Sequence, residues 1–153
     1  MDDMTRFDLY RALVEQIPDA VIFADREGIV RIWNDGAVAV FGYTAAEMLG
    51  RGLDAIIPED LRQRHNQGYD RAVASGHTRL GNRVMTTRSI HKNGNKLYVD
   101  LSFAVVRDES GLAVGALAIG RNATERYLSD RAMRKRLAEM EERFKGLPEQ
   151  QPS

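Results

Sequence analysis

Lys92-Asn93-Gly94-Asn95 stands between two extended runs, residues 80–90 and 96–107, and its reading decides the fold. An Asn-Gly pair supports the positive φ of a tight hairpin, so the two runs pair antiparallel. In the second run Leu97, Val99, Leu101 and Phe103 alternate with their neighbours, giving a strand with one buried face. Asp108-Glu109-Ser110-Gly111 makes the next turn, and residues 112–121 form a third long strand. Upstream, Pro58 sits at a first helical position and is followed by Glu59 and Asp60, which suit a helix N-terminus. That helix is predicted to run to about Ala74, with Gly76 as its stop. Residues 35–57 alternate short helical pieces with Gly42, Gly50 and Gly52. Before them, residues 20–24 and 29–33 are β-branched and aromatic runs joined by Asp25-Arg26-Glu27-Gly28, a second hairpin.

The ends are helical. Thr5 and Asp8 form a capping box for a helix carrying Leu9, Leu13 and Ile17, which Pro18 stops. Past Asn122 the chain turns charged and helical to about Lys145, and the residues from Gly146 on read as a frayed tail. The order predicts an α+β fold: a five-stranded antiparallel sheet, helices inserted between strands two and three, and a flanking helix at each end. The expected units are residues 1–17 (flanking helix), 18–124 (core), 125–145 (C-terminal helix) and 146–153 (tail). The inserted helices can cover one face of the sheet, with a pocket between.

At 153 residues and 43 % apolar, the chain is long enough for one ordinary core with extensions. Lys and Arg total 22, as do Asp and Glu, so net charge offers no footprint for nucleic acid or an anionic membrane. No apolar run spans a bilayer, and the acidic start lacks the apolar stretch of a signal peptide, so a cytoplasmic protein is expected. The absence of cysteine excludes disulfides, thiolate metal sites and a chromophore carried on sulfur.

Five phrases in order resemble a PAS domain over residues 17–125. They are Ile17-Pro18-Asp19-Ala20-Val21, then Asn34 after the second strand, then Phe41-Gly42-Tyr43-Thr44-Ala45-Ala46-Glu47-Met48-Leu49-Gly50. Lys92-Asn93-Gly94 and the exit Arg121-Asn122-Ala123-Thr124-Glu125 complete the set. Asn122 stands where the family's exit phrase has Asp. It can accept a hydrogen bond but supplies no charge for the salt bridge that couples core to exit helix in relatives.

Pro58-Glu59-Asp60-Leu61-Arg62-Gln63-Arg64-His65 is similar to the segment carrying the axial histidine in heme PAS domains. Those belong to oxygen-sensing histidine kinases and direct oxygen sensor phosphodiesterases, and the interval from His65 to Gly94 matches both without a gap. The resemblance implies heme b held by His65 and a diatomic gas (O2, CO or NO) or redox state as the signal, with no catalysis. On the residues themselves, Leu61, His65, Tyr69 and Ala72 share one helical face, and a neutral imidazole is a good iron ligand. The alternative is a histidine that caps a pocket or bonds a backbone carbonyl.

Arg83 and Met85 lie two apart and share a strand face. The resemblance puts an arginine at Met85 in the kinases, and a methionine at Arg83 with an arginine at Met85 in the phosphodiesterases. Here the two types are swapped. Met85 is thus a candidate sixth iron ligand, or else plain core, and Arg83 a donor to bound gas, or else a cation at the edge. Leu101 and Phe103 align with apolar residues crowding the distal pocket. Arg71 and Arg79 align with propionate contacts, with His77 nearby, and all three also read as ordinary exposed charge. His91, beside the hairpin, reads as exposed. Flavin held without a covalent bond is the alternative cofactor, with Trp33 either stacking on its ring or packing in the core.

No nucleotide loop, nucleophile–base set, paired carboxylates or zinc spacing occurs. Met133, Leu137, Met140 and Phe144 follow the 4-3-4 spacing of a coiled-coil seam. With the face formed by Leu9, Leu13 and Ile17, they predict a homodimer that signals to a downstream protein through its flanking helices. A cofactor-free dimerisation module is the rival reading.

Overall fold

A computed structural model describes residues 4–78 and 83–147 of the chain. Among them run α1 (Arg6–Gln16), β1 (Ala20–Asp25), β2 (Val30–Trp33), α2 (Asp35–Phe41), α3 (Ala45–Met48), a 3-10 turn at Asp54–Ile56, α4 (Glu59–Ser75), β3 (Met85–Ile90), β4 (Lys96–Arg107), β5 (Ala113–Asn122) and α5 (Thr124–Lys145). The strands form one antiparallel sheet in the order β2-β1-β5-β4-β3. This is the α+β architecture expected from the order of elements. The third strand starts later than expected, at Met85, with Arg83 and Val84 leading into it. Leu80 lies outside the described residues; Gly81 and Asn82, two poor strand formers, separate it from Arg83 in the sequence.

Alternation gives the sheet an inner face. Ala20 and Ile22 of β1, Val30 of β2, and Leu97 and Val99 of β4 pack there against Ala37, Val40 and Phe41 of α2 and Met48 of α3. Trp33 belongs to this core. It is 5 % exposed, tilts against Phe41 with ring centroids 5.5 Å apart, and donates from Nε1 to the Tyr43 carbonyl at 2.9 Å.

One buried polar side chain ties three elements together. The Asn34 amide nitrogen donates to the carbonyls of Val14 (2.8 Å), Ile17 (3.2 Å) and Asp19 (3.0 Å). Its oxygen accepts from the backbone N–H of Val21 (2.8 Å) and of Ala37 (2.9 Å), the latter capping α2. Gly36 follows because α2 presses on the chain entering β1: a Cβ there would lie 2.0 Å from the Asp19 carbonyl oxygen.

The β3–β4 hairpin is pinned to α3. Thr44 and Glu47 close a capping box, and the Lys92 ammonium lies 2.7 Å from Glu47. The hydrogen bond from Lys92 and that from the Thr44 N–H hold the Glu47 carboxyl down at about 2. His91 departs from the exposed position expected for it. It is half-buried, with its ring against the α-carbon of Gly42, where a Cβ would come within 2.4 Å of the imidazole. The Gly42 φ of +82° that ends α2 brings that bare backbone under the ring.

At the far end β5 runs into α5 through Ala123. The Asn122 side-chain oxygen accepts from the Thr124 N–H at 3.0 Å and its hydroxyl at 2.6 Å, so a neutral carboxamide does the capping. Arg126 reaches back to Asp100 at 2.8 Å, which fastens the first turn of α5 to β4. Beyond that root α5 buries nothing: Met133, Leu137, Met140 and Phe144 are 59–79 % exposed.

Replacing Asn34→Ala strands three carbonyls and two N–H groups, and each buried orphan costs roughly 1–3 kcal/mol. Chemical denaturation should show a loss of about 3 kcal/mol or more. Asn34→Asp should destabilise at least as much, because a carboxylate oxygen would then face three carbonyl oxygens. Full stability of the aspartate variant would overturn the orientation of the amide.

Candidate functional site

The site depends on which face α4 turns inward. On α4, Leu61, Arg62, His65, Gly68, Tyr69 and Ala72 are half-buried and Val73 is buried, whereas Arg64, Asn66, Asp70 and Arg71 are exposed. This is the face expected from helical spacing. Pro58 and the first-turn acids Glu59 and Asp60 start the helix, and Gly76, in the left-handed region, ends it. The Arg107 guanidinium bonds the Gly76 carbonyl and fixes that end to β4.

Tyr69 anchors the middle of α4 to the sheet. Its hydroxyl donates to the Ala24 carbonyl at 2.8 Å and contacts that of Asp25. Burial, reinforced by the charges of Asp25 and Asp70, pushes the phenol up to about 12. One turn earlier, the His65 ring lies over the Tyr69 ring with centroids 6.4 Å apart. Nδ1 sits 3.4 Å from the Asn66 side-chain oxygen, at the long limit of a hydrogen bond.

His65 and Tyr69 line a cavity of about 350 Å³ between α4, the β1–β2 turn and the loop before the 3-10 turn. Its other walls include Glu27, Gly28, Leu53, Asp54, Asn66 and Asp70. The three carboxylates were not among the sequence candidates. They come from segments far apart in the chain, and nothing in their local sequence marks them as neighbours.

The opposite candidates gather elsewhere. Met85 pairs with Leu101, Leu101 with Gly120, and Phe103 with Ala118, so these side chains share the inner face with Val99. Leu101 and Phe103 are half-buried and Met85 is 40 % exposed, because α4 packs over β5 and leaves this part of the sheet open. The sheet thus brings together Met85, Leu101 and Phe103, but none of them lines the cavity that holds His65. Arg83 is exposed just before β3, and Arg71 is exposed on α4. Arg79 lies outside the described residues. His77 is exposed, with Nδ1 3.4 Å from the Arg107 guanidinium. Among the described residues no cluster of His, Asp and Glu is arranged to hold a metal ion unaided. No described helix is long and apolar enough to cross a membrane.

The sheet order, the helices inserted between β2 and β3 and the pocket helix α4 coincide with a known family, the PAS fold, whose profile matches residues 14–128. The chain belongs to the PAS family. Sensor protein FixL of Bradyrhizobium diazoefficiens is 33 % identical over 67 residues, covering 44 % of this chain and 13 % of FixL. Oxygen sensor protein DosP of Escherichia coli is 25 % identical over 115 residues, covering 75 % of this chain and 14 % of DosP. The curated relatives are therefore much longer proteins, of which the chain spans less than a fifth. The crystal structure of a PAS domain from Colwellia psychrerythraea superposes with a TM-score of 0.68 at 21 % identity, covering 79 % of this chain and 99 % of that one.

Tyr69→Phe should lower stability by about 1 kcal/mol by removing the hydroxyl from the backbone of β1. In the unaltered protein the phenol's pKa is raised above its ordinary 10.0 to about 12. Its contribution is therefore complete below about pH 10 and lost as pH climbs toward 12. Denaturation across that range should show a fall that the Phe variant lacks; parallel curves would detach Tyr69 from the β1 carbonyls.

Proposed function

We propose that this PAS sensory unit holds heme b on His65, reads a diatomic gas there, and relays the signal through α1 and α5 in a homodimer. The observation that carries the reading is His65 itself: a half-buried imidazole on the inward face of the pocket helix. The resemblance to FixL and to the oxygen sensor DosP supports the same choice.

The residues fit the group in kind. His65 supplies the donor, Leu101, Phe103 and Met85 supply an apolar wall on the same sheet face, and the exposed cation Arg71 suits a propionate. The polar cavity beside His65 does not fit it, since Glu27, Asp54 and Asp70 would face the propionates. Binding against the apolar wall requires α4 to turn His65 away from the β1–β2 turn. Once bound, the iron supplies the coordination chemistry that recognises the gas. The chain's residues would hold and surround it: His65 would ligate, Leu101 and Phe103 would exclude water, Arg83 would donate to bound gas, and Met85 would be a second iron ligand that the gas displaces.

The position of His65 in a small polar cavity favours a second reading, a cofactor-free dimerisation module. Flavin has less support, because Trp33 is packed against Phe41 instead of facing a pocket. An absorption spectrum of protein produced with ample iron and heme precursor decides. A Soret band that His65→Ala abolishes or leaves unresponsive to CO is the expected result. A flat visible spectrum, or an unchanged ligand-sensitive band in the variant, would overturn heme ligation by His65.

The output half rests on exposed apolar residues at both ends. Phe7, Leu9, Tyr10 and Leu13 of α1 and the Met133–Leu137–Met140–Phe144 stripe of α5 all face solvent in a single chain. A two-fold pairing of α5 helices would bury the stripe, with α1 contributing the rest. Truncation after Glu125 should weaken dimerisation and leave the core folded. Sedimentation in which full-length and truncated chains are both monomers at micromolar concentration would overturn it.

A further inference from the structure

A second cleft lies where the start of α5 passes over the outer face of β3 and β4, at the sheet edge reached by the first turn of α4 and apart from the stripe on α5. It is open to solvent and has a volume of about 650 Å³. Tyr98 of β4 and Tyr127 of α5 stack there, with centroids 3.8 Å apart and planes at 16°. Arg131 and Arg134 follow Tyr127 by four and seven residues, so all three share one side of α5 and line the cleft. Leu61 of α4 with Thr86 and Arg88 of β3 complete the walls.

The charges here are unevenly satisfied. Asp100 already holds Arg126 and Thr86, and Asp60 already holds Arg88. Among the described residues no acceptor engages the guanidiniums of Arg131 and Arg134 or the hydroxyls of Tyr98 and Tyr127. The cleft therefore converges hydrogen-bond donors, three of them cationic with Arg88 already paired, on a space lined by no free carboxylate. Such a lining selects an acceptor-rich dianion, and paired guanidiniums match the oxygens of a phosphate. The aromatic pair and Leu61 add a flat apolar surface, which a bare phosphate would leave unused. The volume is that of a small-molecule site.

We propose that this cleft binds a mononucleotide, with the phosphate on Arg131 and Arg134 and the base against the tyrosine pair. The ligand would touch α4, the sheet and α5 at once, and so would fix the direction in which α5 leaves the core. The Met133–Phe144 stripe lies about 120° round α5 from Tyr127, Arg131 and Arg134, so pairing of two α5 helices leaves the cleft open. The inference is independent of heme at His65.

The test is calorimetric titration of the full chain with adenosine 5′-monophosphate and guanosine 5′-monophosphate, with adenosine and inorganic phosphate as comparisons. The expected result is binding of at least one mononucleotide, weakened by salt and roughly tenfold or more tighter than adenosine or phosphate alone. The double variant Arg131→Ala/Arg134→Ala alters only exposed positions and should fold; it should lose at least the same factor. No mononucleotide binding at millimolar concentration would overturn the proposal. So would adenosine or phosphate binding as tightly as the nucleotides, or an affinity unchanged in the double variant.

Discussion

Asn34 makes the rest of the arrangement possible. A single carboxamide satisfies five backbone groups from the end of α1, the chain entering β1 and the first turn of α2. Buried backbone groups must find partners, and the junction of a helix end with a strand start and a second helix start leaves several without any. A side chain with two donors and an acceptor on one small plane meets that need, where Asp or Ser would not. Because α2 is held down in this way, Phe41 and Trp33 form the centre of the core, and α4 has a fixed surface to lie across. The same side chain also tethers α1, which buries no residue of its own, so the N-terminal helix takes its direction from the core.

The attachment of α4 sets the state of the pocket. Tyr69 bonds to the end of β1, Arg107 holds the helix C-terminus, and Asp60 near its N-terminus pairs with Arg88. These three fastenings place the helix over β5 and leave the inner positions of β3 and β4 partly uncovered. Of the three, the Tyr69 hydroxyl is the one directed at the side where His65 now sits.

Most of the fold was legible because it rests on local signals: the Asn-Gly hairpin, the alternation of Leu97, Val99, Leu101 and Phe103, the capping box at Thr5, and Gly76 at a helix end. The inward face of α4 was legible for the same reason, since helical spacing fixes which residues share a side. The partners of that face were not. Glu27 and Asp54 approach His65 through a turn and a loop whose packing no period encodes. The stacking of Tyr98 on Tyr127 likewise joins a strand to a helix across a long sequence interval. His91 was misplaced because its burial depends on a bare α-carbon at Gly42, a contact visible only once α2 and the hairpin are side by side.

The join between β5 and α5 has a mechanical consequence. One non-helical residue, Ala123, separates the last strand from 22 residues of helix, and only the first turns touch the core. At 1.5 Å per residue such a rod is about 33 Å long. A tilt of about 5° at its root therefore carries the tip roughly 3 Å sideways. The core need not rearrange to be felt at that distance; a fraction of an ångström at Asp100 or Tyr98, levered through the rod, is already a shift the size of a side chain.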